Sequence, residues 1–258
     1  MERKLIKMKR LLKSIALAFI ASVFIWGTAH AVTISFTDNH YNWPNWNVHT
    51  GDLNGTPDFL GGTAEVSAAG YLASLSFNVQ AARSGSAYLN LFRGLSAADL
   101  FIDQNADDVW DYVVKSLYHS GKASVNYGLY NVIQPLGEDG PGTVKDANYL
   151  LATASNFRTG HPVGLKSEYL GLLKGTTELS GWWGSDAQYD VIYTPTFTFG
   201  ENHIFLSDKF TVAFSVICAN DVVYETLETP VPEPATMLLL SMGLVGLAGF
   251  RKNLRRGK

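Results

Sequence analysis

The sequence has almost no cysteine, little charge and none of the short motifs that mark the common catalytic sites. Its single cysteine, Cys218, excludes an internal disulfide, so the fold depends on its apolar core. Only 17% of the 258 residues are charged and 47% are hydrophobic, a balance that excludes a disordered chain. No HExxH, GxSxG, P-loop or GxGxxG sequence occurs, and the five histidines beyond residue 31 show no metal-ligand spacing. We therefore expect a folded, non-enzymatic protein.

Basic residues are concentrated at the two ends of the chain. Six of the 20 Lys and Arg residues lie in 3–13 and five in 251–258, whereas only two of the 23 acidic residues lie outside 32–228. The region 32–228 therefore holds nine basic and 21 acidic residues, a net charge of −12. This charge disfavours binding to nucleic acid or anionic lipid and favours divalent cations as partners.

The N-terminal segment has the three parts of a secretory signal. Its basic residues precede an uncharged run at 14–27, and Ala29 and Ala31 place small residues at the two positions that a signal peptidase reads. The run is shorter than the roughly 20 residues that span a bilayer, which favours cleavage over a permanent anchor. We expect the export machinery to recognise residues 1–31 as a signal peptide and signal peptidase to cut after Ala31.

The C-terminal segment has three ordered parts as well: a motif at 231–236, an uncharged apolar run at 237–250 and a basic end at 251–258. Four residues form the centre of the motif: Val231, Pro232, Glu233 and Pro234. Proline cannot enter a helix interior, so the motif stays extended and accessible to a protease. The apolar run is able to enter the bilayer as a short transmembrane helix with its basic end on the cytoplasmic side. A plain membrane anchor is the alternative.

This tripartite tail resembles the PEP-CTERM family of sorting signals, which is also catalogued as the C-terminal domain of ice-binding proteins. The resemblance covers 231–258 only. It implies recognition by a membrane-embedded cysteine protease of the exosortase type and removal of the tail. It also implies that the protein then reaches the cell surface or extracellular matrix of a Gram-negative bacterium that makes extracellular polysaccharide. The expected organisation is a signal peptide at 1–31, a surface domain at 32–228 and a sorting tail at 229–258.

Alternation of apolar and polar residues dominates the middle of the chain. Residues at every second position are apolar in 71–79 and in 210–218, and more briefly at Trp110, Tyr112 and Val114. This period is typical of half-buried strands. A further apolar face in 191–199 is interrupted by Pro195, which predicts an edge strand or a bulge. Together with 24 glycines that punctuate these runs, the pattern predicts one all-β domain, an antiparallel β-sandwich or jelly roll.

Helical content is expected to be small. Residues 144–154 fit either a helix or a loop that leads into a strand at 149–153. Periodicity does not decide between them, and we favour the strand. No repeat of fixed period occurs, which disfavours a propeller or a solenoid.

One acidic segment is a candidate metal site. It places four oxygen-bearing side chains close together in sequence: Asp103, Asn105, Asp107 and Asp111. Calcium takes six to eight oxygen ligands, and oxygens at alternate positions converge when a chain curls. The segment resembles the calcium loops of EF-hands and dockerin modules, but it has Asp108 in place of a glycine and Val114 in place of a bidentate glutamate. We expect calcium in a turn between strands, with a solvated acidic turn as the alternative.

The function that these observations favour is a non-enzymatic, exported protein that joins or binds the polysaccharide of a biofilm matrix, with calcium as a candidate ligand. Aromatic residues at 41–46 and 181–184 are candidates for holding sugars, although burial in the core is the favoured interpretation. Two alternatives stay open. One is a secreted carbohydrate-active hydrolase, which needs two carboxylates in a groove, and the other is a purely structural surface protein.

Overall fold

A computed structural model describes residues 31–38, 57–85, 89–116, 126–133, 151–153, 162–200, 204–217 and 221–229. Strands dominate these residues, and the one α-helix among them, α1, has five residues, Leu89–Arg93. Short 3-10 turns occupy Ser167–Tyr169 and Gly184–Asp186. The strands are β1 (Val32–Phe36), β2 (Asp58–Val66), β3 (Leu72–Gln80), β4 (Leu100–Asp103), β5 (Tyr112–Ser116), β6 (Asn126–Val132), β7 (Leu151–Thr153), β8 (Pro162–Leu165), β9 (Leu170–Ser180), β10 (Ile192–Tyr193), β11 (Thr196–Thr198), β12 (Lys209–Ser215) and β13 (Val222–Glu228). The all-β prediction is confirmed.

Eleven of these strands form one antiparallel sheet in the order β1-β2-β3-β11-β9-β6-β5-β4-β12-β13, with β10 pairing to β3 beside β11. Strands β7 and β8 form a separate two-stranded sheet. The large sheet curls around its apolar interior until its two end strands, β1 and β13, contact each other. The antiparallel architecture is thus as expected, whereas a division into the two facing sheets of a sandwich stays a prediction.

The curled sheet has two ends, which the strand register and loop contacts define. The lower end carries Val32, Leu72, Gln104, Ser207 and Thr229. The upper end carries Asp58, Gln80, Ile192 and Asp221. At the upper end the buried carboxylate of Asp221 accepts a hydrogen bond from the backbone N–H of Phe59, 2.6 Å away. This bond joins the start of β13 to the start of β2.

The main core fills the interior of the curled sheet. Phe77, Phe197 and Phe214 are fully buried there, with the ring of Phe197 edge-on to both others at 6.2 and 5.1 Å. Leu75, Phe77 and Val79 point inward as the alternation predicts. Near the lower end, however, Leu72 is buried in place of its two neighbours, because a register shift between β2 and β3 reverses the alternation.

Strand β12 is buried on both faces. Phe210, Val212 and Phe214 enter the main core as expected, while Ala213 enters a second, smaller core. This second core also holds Phe101, Trp110, Val113, Leu165, Tyr169 and Val222. The shared face expected for Trp110 and Val114 is therefore wrong: Trp110 precedes β5 and lies in the second core, whereas Val114 lies in the main one. Cys218 lies outside the described residues.

Pro195 separates β10 from β11, which confirms the interruption expected there. Its carbonyl oxygen accepts a hydrogen bond from the N–H of Phe77 at 3.0 Å. Strand β11 is not an edge strand, however, since it pairs with β3 on one side and β9 on the other. The favoured strand at 149–153 is found as β7 for its last three residues, and the two before them lie outside the described part of the chain.

Candidate functional site

The loop between β4 and β5, residues 103–111, contains all four predicted calcium ligands, and we call it the acidic loop. Asp103 ends β4 and is completely buried; its Oδ1 accepts the N–H of Asn105 at 3.0 Å and its Oδ2 that of Asp108 at 3.1 Å. Asp111 Oδ2 accepts the N–H of Gln104 at 2.9 Å. The loop is thus closed by hydrogen bonds from its own backbone to three of its carboxylates, since Asp107 Oδ1 also accepts the N–H of Val109 at 3.2 Å.

The predicted ligands also interact with one another. Asn105 Nδ2 donates a hydrogen bond to Asp107 Oδ2 at 2.9 Å. Burial raises the pKa of the Asp111 carboxyl group; the N–H of Gln104 opposes that rise, and the negative charges of Asp103 and Asp107 add to it. Two carboxylates therefore repel the charged form of Asp111 within this loop, and a bound cation would relieve that repulsion.

Asp108 stands where the resembling calcium loops have glycine, and its backbone has a φ of 66°. Aspartate adopts this left-handed conformation more readily than most side chains, so the substitution still permits the sharp turn. Within the described ranges, no group of three or more His, Cys, Asp or Glu residues is arranged to hold a metal ion. Calcium binding at Asp103, Asn105, Asp107 and Asp111 therefore stays a prediction.

A buried ion pair at the other end of β4 is a feature that the sequence did not reveal. Lys115 Nζ lies 2.8 Å from Asp99 Oδ2 and donates a second hydrogen bond to the carbonyl oxygen of Leu165 at 2.6 Å. Asp99 also accepts the N–H of Leu165 at 2.8 Å. A side chain on Gly164 would meet Asp99 Oδ2 at 2.5 Å, so glycine permits this close approach. The sequence feature that could have predicted this ion pair is a lysine directly after the apolar residues Val113 and Val114.

The tryptophan pair at 181–184 belongs to the interior of the domain. Trp183 is buried against Phe92, with ring centres 4.4 Å apart, and its Nε1 donates to the carbonyl oxygen of Phe92 at 2.8 Å. Trp182 is half-buried and donates to the carbonyl oxygen of Leu95 at 3.2 Å. The favoured interpretation as core aromatics is confirmed for Trp183. The other aromatic segment, 41–46, lies outside the described residues.

Thr229, the last described residue, is hydrogen-bonded to the segment that precedes β12. Its N–H donates to the carbonyl oxygen of Asp208 at 2.8 Å and its Oγ1 to that of Ser207 at 2.7 Å. Ser207 in turn donates its N–H to the carbonyl oxygen of Gln104 in the acidic loop at 2.9 Å. An exposed ion pair, Lys209 with Glu228, flanks this junction at 2.7 Å. These hydrogen bonds connect the last described residue of the domain to the acidic loop.

Comparison with known protein families identifies the segment on the C-terminal side of this junction. The family model for the PEP-CTERM protein-sorting motif matches residues 230–256. The chain carries a PEP-CTERM sorting motif. The match begins one residue after Thr229 and includes the four predicted motif residues: Val231, Pro232, Glu233 and Pro234. No curated protein and no solved structure matches the chain.

The PEP-CTERM motif implies an exported protein that is processed at the membrane by an exosortase. The motif residues and Ala29 lie outside the described residues, and Ala31 is described and exposed. In the described ranges, no helix is long and apolar enough to cross a membrane. The runs at 14–27 and 237–250 lie outside those ranges, so the signal peptide, the sorting helix and the domain boundaries stay predictions.

Proposed function

We propose that the chain is the precursor of a non-enzymatic protein of a Gram-negative cell surface or extracellular matrix, sorted by an exosortase. The observation that carries the proposal is the PEP-CTERM match at 230–256, directly after Thr229, the last described residue, which is hydrogen-bonded to the domain. Export by a signal peptide at 1–31 and association with extracellular polysaccharide complete the proposal.

Several buried or partly buried carboxylates support a non-enzymatic role. Asp99 is paired with Lys115, and Asp103 and Asp221 accept backbone N–H groups. A glycosidase needs two carboxylates about 5 to 10 Å apart that are free to reach a substrate. Carboxylates that already hold the backbone in place are poorly suited to that task, which makes the hydrolase the weaker alternative.

Calcium at the acidic loop is part of the proposal. Its support is the repulsion that Asp103 and Asp107 exert on the Asp111 carboxylate, together with the left-handed backbone at Asp108. In this interpretation the amide of Asn105 turns over on binding and presents its oxygen to the ion, since an amide offers both a donor and an acceptor end. An ion so placed would order the connection between β4 and β5.

The sorting proposal is tested by replacing Glu233 with Ala in the full chain. We expect an uncut, membrane-bound precursor, because the protease loses the charged centre of its recognition motif. The matched control is Glu228→Ala, an exposed glutamate five residues upstream that lies outside the motif match. Fractionation with an antibody to the domain measures both variants. Normal processing of Glu233→Ala would leave a plain anchor as the better explanation.

A further inference from the structure

We propose that the lower end of the curled sheet faces the membrane in the uncleaved precursor, while the upper end points away from it. The partner is the lipid surface into which the chain's two apolar runs insert. This inference rests on the proposed function, because it takes the runs at 14–27 and 237–250 to lie in one bilayer. Neither the sorting motif nor the all-β fold specifies by itself which side of the domain faces the membrane.

Both ends of the domain leave from its lower end. Val32, the first residue of β1, pairs with Val66, which pairs with Leu72. The N–H of Leu72 donates to the carbonyl oxygen of Ile204 at 2.9 Å, so the segment that begins at 204 crosses beneath these strands. Three residues further along that segment, the carbonyl oxygen of Ser207 accepts the hydroxyl of Thr229. A short series of direct contacts therefore connects the first and last residues of the domain.

Neither tether, even when fully extended, is longer than strand β3. Residues 230–236 separate Thr229 from the apolar run and span at most about 25 Å when fully extended. On the other side, residues 28–31 separate the signal's apolar run from Val32 and span about 15 Å. Strand β3 with the residue before it, from Tyr71 to Gln80, rises about 30 Å. Tethers of these lengths hold the lower end near the bilayer and keep the upper end distant.

Charge at the lower end disfavours direct contact between the domain and the lipid, so that only the two tethers connect them. Asp107, Asp108, Asp208 and Glu228 are exposed there, with Lys209 paired to Glu228. Carboxylates are repelled by the negative surface potential of anionic headgroups, so close lateral contact is unfavourable. This repulsion disfavours direct contact between the lower end and the headgroups, while the tethers limit how far that end lies from the bilayer.

Two exposed apolar residues offer a matched pair of probe sites for the test. Phe205 forms a bridge with Tyr71 at the lower end and is 54% exposed, and Ile192 pairs with Gln80 at the upper end and is 53% exposed. The full chain carries Glu233→Ala and Ala31→Leu, so that neither end is cut, together with Cys218→Ser, and it receives either Phe205→Cys or Ile192→Cys. A fluorescent donor is attached to the new thiol. The protein is then reconstituted in vesicles of phosphatidylethanolamine and phosphatidylglycerol that contain an acceptor-labelled lipid.

We expect energy transfer from position 205 to exceed that from position 192 by about twofold or more, because the two sites lie about 30 Å apart along β3. Equal transfer, or more from position 192, would overturn the inference. A second pair, Asp208→Cys at the lower end and Tyr189→Cys near the upper end, repeats the comparison if either first variant fails to fold. Alkaline carbonate extraction is the separate readout. If the chain is released from the vesicles, the proposed function fails and the inference with it, whereas retention with equal transfer rejects the inference alone.

Discussion

The two ends of β4 each carry a buried aspartate, and the two are stabilised in different ways. Asp99, just before the strand, is paired with the ammonium group of Lys115 and also accepts the N–H of Leu165. Asp103, the last residue of the strand, accepts two backbone N–H groups, and no ion pair reaches it from the described residues. The positive charge of Lys115 neutralises the carboxylate of Asp99, whereas, in the described part of the chain, only the dipoles of N–H groups stabilise that of Asp103.

The Asp99 site already contains a neutralising cation, the ammonium group of Lys115, whereas the Asp103 site still favours binding of one. A buried ion pair is strongly destabilised when one partner is removed, because the other is left as an uncompensated charge. Asp103 is held by N–H groups with no cation beside it among the described residues, and the carboxylates of Asp107 and Asp111 lie in the same loop. We therefore expect the Asp99 end to respond to loss of its lysine and the Asp103 end to respond to an added ion.

The largest expected effect is that of Lys115→Met, which leaves Asp99 buried without its partner. We expect the free energy of unfolding to fall by about 3–5 kcal/mol, measured by urea denaturation of the exported domain. The double variant Asp99→Asn with Lys115→Met should recover much of that loss. A matched control is Lys209→Met, which breaks the exposed pair with Glu228 and should leave stability unchanged within error, since exposed pairs contribute little. A similar loss in both single variants would contradict the buried pair as the cause.

Calcium should produce the next largest effect. An ion bound only to the folded state adds about 2.7 kcal/mol when its concentration is 100-fold above Kd. Extracellular calcium sites commonly bind at about 10⁻⁴ to 10⁻³ M, so roughly 10 mM calcium should raise the melting temperature by a few degrees and chelator should lower it. Asp107→Ala should abolish this response, whereas Asp186→Ala, an exposed aspartate outside the loop, should retain it. If neither calcium nor chelator changes the melting temperature of the wild-type domain, the site is rejected and the loop is an ordinary acidic turn.

A smaller gain is expected from Asp108→Gly. Glycine adopts the φ of 66° without strain and keeps the N–H that bonds Asp103, so stability should rise by about 1 kcal/mol. Asp208→Gly is the control, because Asp208 is exposed and does not have a positive φ. There, glycine should lower stability through its greater freedom in the unfolded chain. Chemical denaturation compares the two, and a loss at both positions would argue against strain at Asp108.

The smallest effect concerns pH and Asp111. Burial and two neighbouring carboxylates raise the pKa of this group above its ordinary value, so the folded state holds the proton more tightly than the unfolded state. The resulting cost is present above the folded pKa and disappears as pH falls through it. Relative to Asp111→Asn, which has no such titration, the wild-type domain should gain stability as the solution becomes mildly acidic. Urea titrations across that range measure the difference, and a difference that stays flat or reverses would contradict this effect.

Local patterns predicted much of the sheet. Alternation placed Leu75, Phe77 and Val79 on the inner face, and Pro195 marked a real break between strands. The reversal at Leu72 was not predictable, because it results from a register shift against β2 that no single strand encodes. The acidic loop was found because its residues are close in sequence. The ion pair was missed because Lys115 Nζ bonds a carbonyl oxygen 50 residues away and an aspartate 16 residues away.

Contact between the first and last strands has a consequence for solubility. An unpaired strand edge is a template on which another copy of a protein adds its own strand, and that risk grows where molecules are crowded. Here β1 and β13, the two ends of the large sheet, lie against each other and shield one another's outer edges. The same contact brings the most terminal parts of the domain together. In the described part of the sheet, neither end strand is therefore left without a neighbouring strand.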